Sequence, residues 1–161
     1  SIKEKYYLGL KLVRGAYLEQ ETLVSNEKNW KNPIHPSKAE ADSCYNLAID
    51  FCIANISKIS ICVATHNEKS IEHLSQLMKL NSIKNNDPRI FSAQLYGMGD
   101  HITFNIINNN HNVLKYMPYG PIKEVIPYLI RRADENKSMQ GQTSRELTLI
   151  NKELARRKSI L

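Results

Sequence analysis

Four short apolar runs, each closed by turn chemistry, constrain this chain more than any other feature of its sequence. Residues 8–13 read Leu-Gly-Leu-Lys-Leu-Val and end in Arg14-Gly15; residues 59–64 read Ile-Ser-Ile-Cys-Val-Ala and end in Thr65-His66-Asn67. Residues 90–95 read Ile-Phe-Ser-Ala-Gln-Leu and end in Tyr96-Gly97-Met98-Gly99; residues 113–117 read Val-Leu-Lys-Tyr-Met and end in Pro118-Tyr119-Gly120. Runs this short, bounded by Gly, Pro and Asn, read as strands. Their nearly continuous apolar character suits strands of a parallel sheet covered on both faces.

Helical periodicity fills the intervals. Residues 37–56 start at Ser37, a good N-cap, and carry Ala41, Cys44, Tyr45, Ala48 and Cys52 at helical spacing. Residues 68–80 repeat the pattern with Ile71, Leu74, Leu77 and Met78, and residues 100–107 give a shorter helix. Residues 122–136 form another, with Pro121 at its first position and Pro127 early in the helix. Ser144 opens a last amphipathic helix with Leu147, Ile150 and Leu154. Residues 30–35 are expected as a loop between the first strand and its helix. The order is βαβαβαβα plus one helix, an α/β chain with right-handed crossovers. Two closures fit it: an open doubly wound sheet, or four units of a (β/α)₈ barrel.

The chain has 161 residues, which suits a single domain, residues 1–161. No apolar run of ~18 residues is present, so no membrane-spanning helix is expected. The chain begins at Ser1 without a signal-like apolar core, and reads as a processed or excised piece. Lys and Arg exceed Asp and Glu by 22 − 16, a charge of +6. The basic residues are dispersed, which argues against a nucleic-acid partner; peripheral association with an anionic membrane surface suits the charge better. Three cysteines without a CxxC or HExxH pattern are expected to be reduced and mostly buried, with no metal site.

In such folds functional residues gather at the C-terminal ends of strands. Here those ends hold donors and rings: Lys11, Arg14, Gly15, Ala16 and Tyr17; Thr65, His66 and Asn67; Gln94, Leu95, Tyr96 and Gly97; Tyr116, Pro118 and Gly120. They hold no carboxylate pair, nucleophile elbow or phosphate loop. A set rich in donors suits a large anionic cofactor with an anionic substrate. Each residue also has an ordinary reading. Lys11 can reach solvent along its stem, Arg14-Gly15 can be a strand stop, His66 a turn residue and Tyr116 a core ring. Arg131-Arg132 can be a solvated helix end.

Taken together, several segments resemble proline dehydrogenase: Lys11-Leu-Val-Arg-Gly-Ala-Tyr-Leu-Glu-Gln-Glu21, Ala64-Thr-His-Asn67, Gln94-Leu-Tyr-Gly-Met-Gly-Asp100, Tyr116-Met-Pro-Tyr-Gly120 and Tyr128-Leu-Ile-Arg-Arg-Ala-Asp-Glu-Asn136. The C-terminal helix is similar to that of the eukaryotic-type branch. The resemblance spans nearly the whole chain. It implies the C-terminal half of an FAD-bound (β/α)₈ TIM barrel, four βα units plus an extra C-terminal helix. Such an enzyme oxidises L-proline to Δ1-pyrroline-5-carboxylate and passes electrons to a quinone.

The resemblance places Lys11 beside the reactive N5 region of the flavin as the catalytic candidate. It places Arg14, Gly15, Ala16, Thr65 and His66 on the FAD, and Leu95 and Tyr116 on the walls of the substrate pocket. Arg131 and Arg132 would hold the substrate carboxylate, with Glu135 near them. It implies as partner the other half of the barrel, or a second copy of the chain. The implied compartment is the bacterial cytoplasm at the inner membrane face, or the mitochondrial matrix and inner membrane. A non-catalytic, self-associating half-barrel fragment is the rival reading. A flavin barrel of the methylenetetrahydrofolate reductase type fits the paired arginines and Tyr-Met-Pro-Tyr-Gly less well.

Overall fold

The computed structural model describes residues 5–15, 17–138 and 140–158, with side chains through 132 and at 147–149, 151, 152 and 154–158. Two compact units divide at Lys115 and Tyr116.

In the first unit the strands are β1 (Leu8–Val13), β2 (Ile59–Ala64) and β3 (Ile90–Leu95), followed by β4 (Val113–Tyr116) at its boundary. The sheet order is β1-β2-β3-β4. β1 pairs parallel to β2, with Lys11 beside Cys62 and Val13 beside Ala64; β2 pairs parallel to β3, with Cys62 beside Phe91 and Ala64 beside Ala93. The first three strands have the bounds read from sequence, and β4 stops one residue short of Met117.

The helices are α1 (Leu18–Glu27), α2 (Lys38–Ala54), α3 (Glu68–Leu80) and α4 (Asp100–Asn108). Ser37 caps α2 by accepting from the Glu40 N–H, and Asn67 caps α3 by accepting from the Ser70 N–H. α1 lies where the sequence reading placed no element, ahead of the loop expected at residues 30–35. The order is therefore βααβαβαβ in this part of the chain. Its apolar residues Leu18 and Leu23 are exposed, so no buried stripe announces the helix. Instead, Glu19 and Glu21 sit in its first turn, where the helix dipole favours them.

Alternation along β1 puts Leu8, Leu10 and Leu12 on one face, with Gly9, Lys11 and Val13 on the other. The leucine face packs on one core that takes Tyr45, Ile49, Cys52 and Ile53 from α2, and Ile71, Leu74 and Met78 from α3. Ile102 and Ile106 of α4 join the same core, with Ile59, Ile61, Val63 and Ile90 of the strands. α2, α3 and α4 thus share one side of the sheet. With right-handed crossovers, a sequential strand order winds every helix to the same side; a doubly wound sheet would place them on both. Among the cysteines, Cys52 is buried, but Cys62 is only half-buried and Cys44 is exposed, against the expectation of mostly buried thiols.

In the second unit, α5 (Ile122–Ser138) packs with α6 (Gln140–Lys158). Pro121 lies one place before α5, and its carbonyl accepts from the Glu124 and Val125 N–H groups at 2.9 and 3.1 Å. α6 starts four residues before the expected Ser144.

Candidate functional site at the strand ends

The tips of β1 and β2 carry the sequence-predicted residues, and strand parity sorts them into two sets. Arg14 continues the Leu8-Leu10-Leu12 series and Thr65 continues Ile59-Ile61-Val63, so both turn toward the helices. Their side chains meet: one Arg14 Nη donates to Thr65 Oγ1 at 2.6 Å. The other Nη donates to Ser70 Oγ at 2.8 Å, and Nε donates to Asp42 Oδ1 at 2.7 Å. The guanidinium lies 4.1 Å from the Tyr45 ring centre. Ser70 passes its own hydroxyl proton to Asn46 Oδ1 at 2.8 Å.

Two titrating groups in this cluster respond to it. Burial alone would raise the Asp42 carboxyl, but the Lys38 hydrogen bond and the Arg14 charge outweigh it and hold the group below its ordinary value. Burial drives the Tyr45 phenol far above its ordinary value despite the neighbouring Arg14, so the hydroxyl keeps its proton. That proton points at backbone: Tyr45 Oη lies 3.1 Å from the Leu12 carbonyl and 3.2 Å from the Ala64 carbonyl.

The other set lies on the sheet face away from the core. Lys11 is exposed and sits beside Cys62 in the register. Burial raises the Cys62 thiol and the Lys11 charge lowers it, with burial winning. Gly15 is exposed, and a Cβ built there meets nothing within 4 Å. His66 takes a hydrogen bond on Nε2 from the Leu95 backbone N–H at 3.0 Å, which fixes Nδ1 as the protonated nitrogen of the neutral ring. Leu95 itself is buried. Ala16 lies outside the described residues.

Gln94, which the sequence places among the strand-end donors, is a structural residue instead. It is fully buried, donates to the Thr65 carbonyl at 3.4 Å and accepts from Thr103 Oγ1 at 3.1 Å. Lys115 holds the β3–α4 turn by donating to the Met98 carbonyl at 2.8 Å and to Asp100 Oδ1 at 2.6 Å.

In the second unit, the Tyr116 and Tyr128 rings meet edge to face, 6.2 Å between centres. The Arg132 guanidinium lies 5.4 Å from the Tyr128 ring centre, while Arg131 is exposed. The Glu135 side chain lies outside the described residues. Sequence reading singled out neither Tyr128 nor the Asp42-Tyr45 pair as site residues. Tyr128 stands four residues before Arg132, the spacing at which helix side chains touch. Asp42 and Tyr45 show only the same helical spacing as the core residues around them.

The proline dehydrogenase family model matches residues 1–145. A relative, "Proline dehydrogenase 1, mitochondrial" of Dictyostelium discoideum, is 40% identical over 162 residues, 98% of this chain and 28% of that protein. The carbapenem antibiotics biosynthesis protein CarD of Pectobacterium carotovorum is 38% identical over 96% of this chain and 39% of its own length. Among solved structures, proline utilization A from Bdellovibrio bacteriovorus, inactivated by N-propargylglycine, superposes with a TM-score of 0.75 at 27% identity. It covers 81% of this chain and 14% of that one. The chain thus spans about two fifths or less of the relatives it matches.

Proposed function

The chain belongs to the proline dehydrogenase family, and from that premise we propose that its four strands are the C-terminal half of a (β/α)₈ barrel that binds FAD and oxidises L-proline to Δ1-pyrroline-5-carboxylate. The observation that carries the reading is the gathering of Gly15, His66 and Leu95 at the same ends of three adjacent strands, with His66 and Leu95 hydrogen-bonded. Sequential strand order with α2, α3 and α4 on one side supports the barrel closure. One domain, residues 1–161, then supplies half of the site.

The residues present suit a flavin dinucleotide. Its phosphates and ring need donors and a close backbone approach. Packing among the described residues gives no reason for glycine at position 15, since a Cβ there meets none of them within 4 Å; an approaching ligand supplies one. Lys11 contributes a cation on the same sheet face, and His66 is held in one tautomer. FAD, when bound, supplies the two-electron acceptor for the oxidation.

The protein's part is placement. Lys11 would lie close to the cofactor, and the segments Arg14-Gly15-Ala16 and Thr65-His66 would hold it. Leu95 and Tyr116 wall the substrate ring, and Arg131 and Arg132 bind its carboxylate as planar forks. Acid–base groups are not required beyond these, in keeping with strand ends that carry no carboxylate. A quinone would be the electron acceptor, at the inner membrane of a bacterium or a mitochondrion. No described helix is long and apolar enough to cross a membrane.

The test uses the complete protein. A yellow protein whose flavin absorption bleaches on adding L-proline supports the reading; a colourless protein that takes up no FAD overturns it. For this chain alone, a self-associating half-barrel is a second reading, favoured by Val13 at 58% and Leu114 at 47% exposure on edge strands. Size-exclusion chromatography with an absorption spectrum separates the two: a colourless oligomer supports self-association and a yellow monomer excludes it.

A further inference from the structure

We propose that Asp42, working through Arg14, and Tyr45, through its own hydroxyl, are positioning residues of α2 that hold the tips of β1 and β2 in the register the cofactor loops require. The proposal rests on the flavin reading above.

The grip is built from one face of one helix. Asp42, Tyr45 and Asn46 stand three and four residues apart, so they project to the same side of α2. Tyr45 reaches both strands at once, with its hydroxyl within hydrogen-bond distance of the Leu12 and Ala64 carbonyls. Leu12 and Ala64 lie at the ends of neighbouring strands, so one hydroxyl sets the spacing of the two tips. Asp42 fixes Arg14 from the other side, and Arg14 in turn donates to Thr65 and to Ser70 in the first turn of α3. Asn46 closes the circuit by accepting from Ser70. The β1 tip, the β2 tip, α2 and α3 are thereby joined through side chains of defined direction.

Stability alone does not explain such a cluster. A partly buried ion pair with its hydrogen bonds contributes little over well-packed apolar side chains. Its distinctive product is geometry. The next residue after Arg14 is Gly15, and the next after Thr65 is His66, both among the residues where cofactor contact is proposed. A sideways slip of either tip moves these residues directly.

The experiment uses the complete protein with three single substitutions: Asp42→Asn, Tyr45→Phe and, as control, Arg89→Gln. Arg89 makes a comparable clip at the opposite end of β3, with Asp87 and the Ile56 carbonyl as partners. FAD affinity is read by fluorescence titration of the apoprotein, and folding by its thermal midpoint. Losing one directed hydrogen bond is expected to weaken FAD by ~10-fold in Asp42→Asn and Tyr45→Phe, whereas Arg89→Gln lowers the midpoint with affinity within about twofold. Adding Arg14→Met to Asp42→Asn is expected to cost less than the sum of the two single substitutions, because Asp42 acts through that guanidinium. Affinities of Asp42→Asn and Tyr45→Phe no lower than that of Arg89→Gln overturn the positioning role and leave the flavin reading standing. An unsubstituted protein that binds no FAD overturns both.

Discussion

The backbone N–H of Leu95 donates to Nε2 of His66 across the tips of β3 and β2, at 3.0 Å. The ring is also pressed against the β3–α4 turn: a Cβ on Gly99 would come within 3.0 Å of His66 Cδ2. Gly99 has φ +63°, a left-handed conformation that glycine adopts without penalty. Gly99→Ala therefore meets both backbone strain and the imidazole. Destabilisation of ~1–3 kcal/mol is expected from the strain alone. Chemical denaturation measures it, and a changed His66 ring signal in NMR reports the displaced imidazole. An unchanged ring signal counts against the contact.

Gly15 makes the opposite case. Its surroundings are open, so Gly15→Val introduces no clash with the described residues. The complete protein carrying it is expected to fold with its thermal midpoint nearly unchanged and to lose FAD on purification. The flavin-to-protein absorbance ratio checks this. A normal ratio removes Gly15 from the cofactor contact.

Why these two glycines differ was only partly legible in the sequence. The apolar runs with their turn residues define β1, β2 and β3, because a strand in a covered sheet needs continuous apolar side chains and a stop. α3 is equally plain, since Ile71, Leu74 and Met78 recur at helical spacing and are buried. α1 is not, because Leu18 and Leu23 face outward and no periodic stripe marks it. The Arg14–Asp42 link spans 28 residues, and no local pattern announces such a pairing. The direction of Arg14 was available, however: it shares the parity of Leu8, Leu10 and Leu12, and so turns toward the helices. Gln94 shares the parity of Ile90 and Ser92, and so turns toward the helices as well.

Acid should weaken the clip below β3. Hydrogen bonding from Arg89 holds the Asp87 carboxyl below its ordinary value of 3.8, against a smaller opposing effect of burial. A carboxyl lowered on folding adds stability that is complete above its unfolded value and is lost as pH falls through the folded one. The contribution is therefore present at neutral pH and disappears in the window below 3.8. Asp87→Asn is expected to cost ~1 kcal/mol at neutral pH, since the pair is partly exposed, and to flatten the acid side of the stability curve. Urea unfolding of the substituted and unsubstituted chains across that window checks both. Parallel acid limbs would show that Asp87 does not titrate as argued.

The last prediction concerns the arginines of α5. Adjacent residues on a helix point ~100° apart, and the structure shows the consequence: Arg132 lies over the Tyr128 ring, while Arg131 is exposed. Tyr128 in turn meets Tyr116 edge to face, so a second ring steadies the one beneath Arg132. A cation held over an aromatic face is steadied by ~0.5–1 kcal/mol at an exposed site. That support narrows the directions in which the Arg132 fork can present itself to a carboxylate. Losing one partner of a buried, charge-assisted pair costs ~2–5 kcal/mol of binding. In the complete protein, Arg131→Met and Arg132→Met are each expected to raise KM for proline steeply, with bound FAD largely intact. Tyr128 should matter through its ring rather than its hydroxyl. Tyr128→Phe keeps the face and is expected to leave KM close to normal, whereas Tyr128→Leu removes it and raises KM by less than Arg132→Met does. Steady-state kinetics on flavin-loaded protein separates these outcomes. Near-normal KM in both arginine variants would sink the carboxylate clamp, and equal losses in Tyr128→Phe and Tyr128→Leu would remove the ring from it.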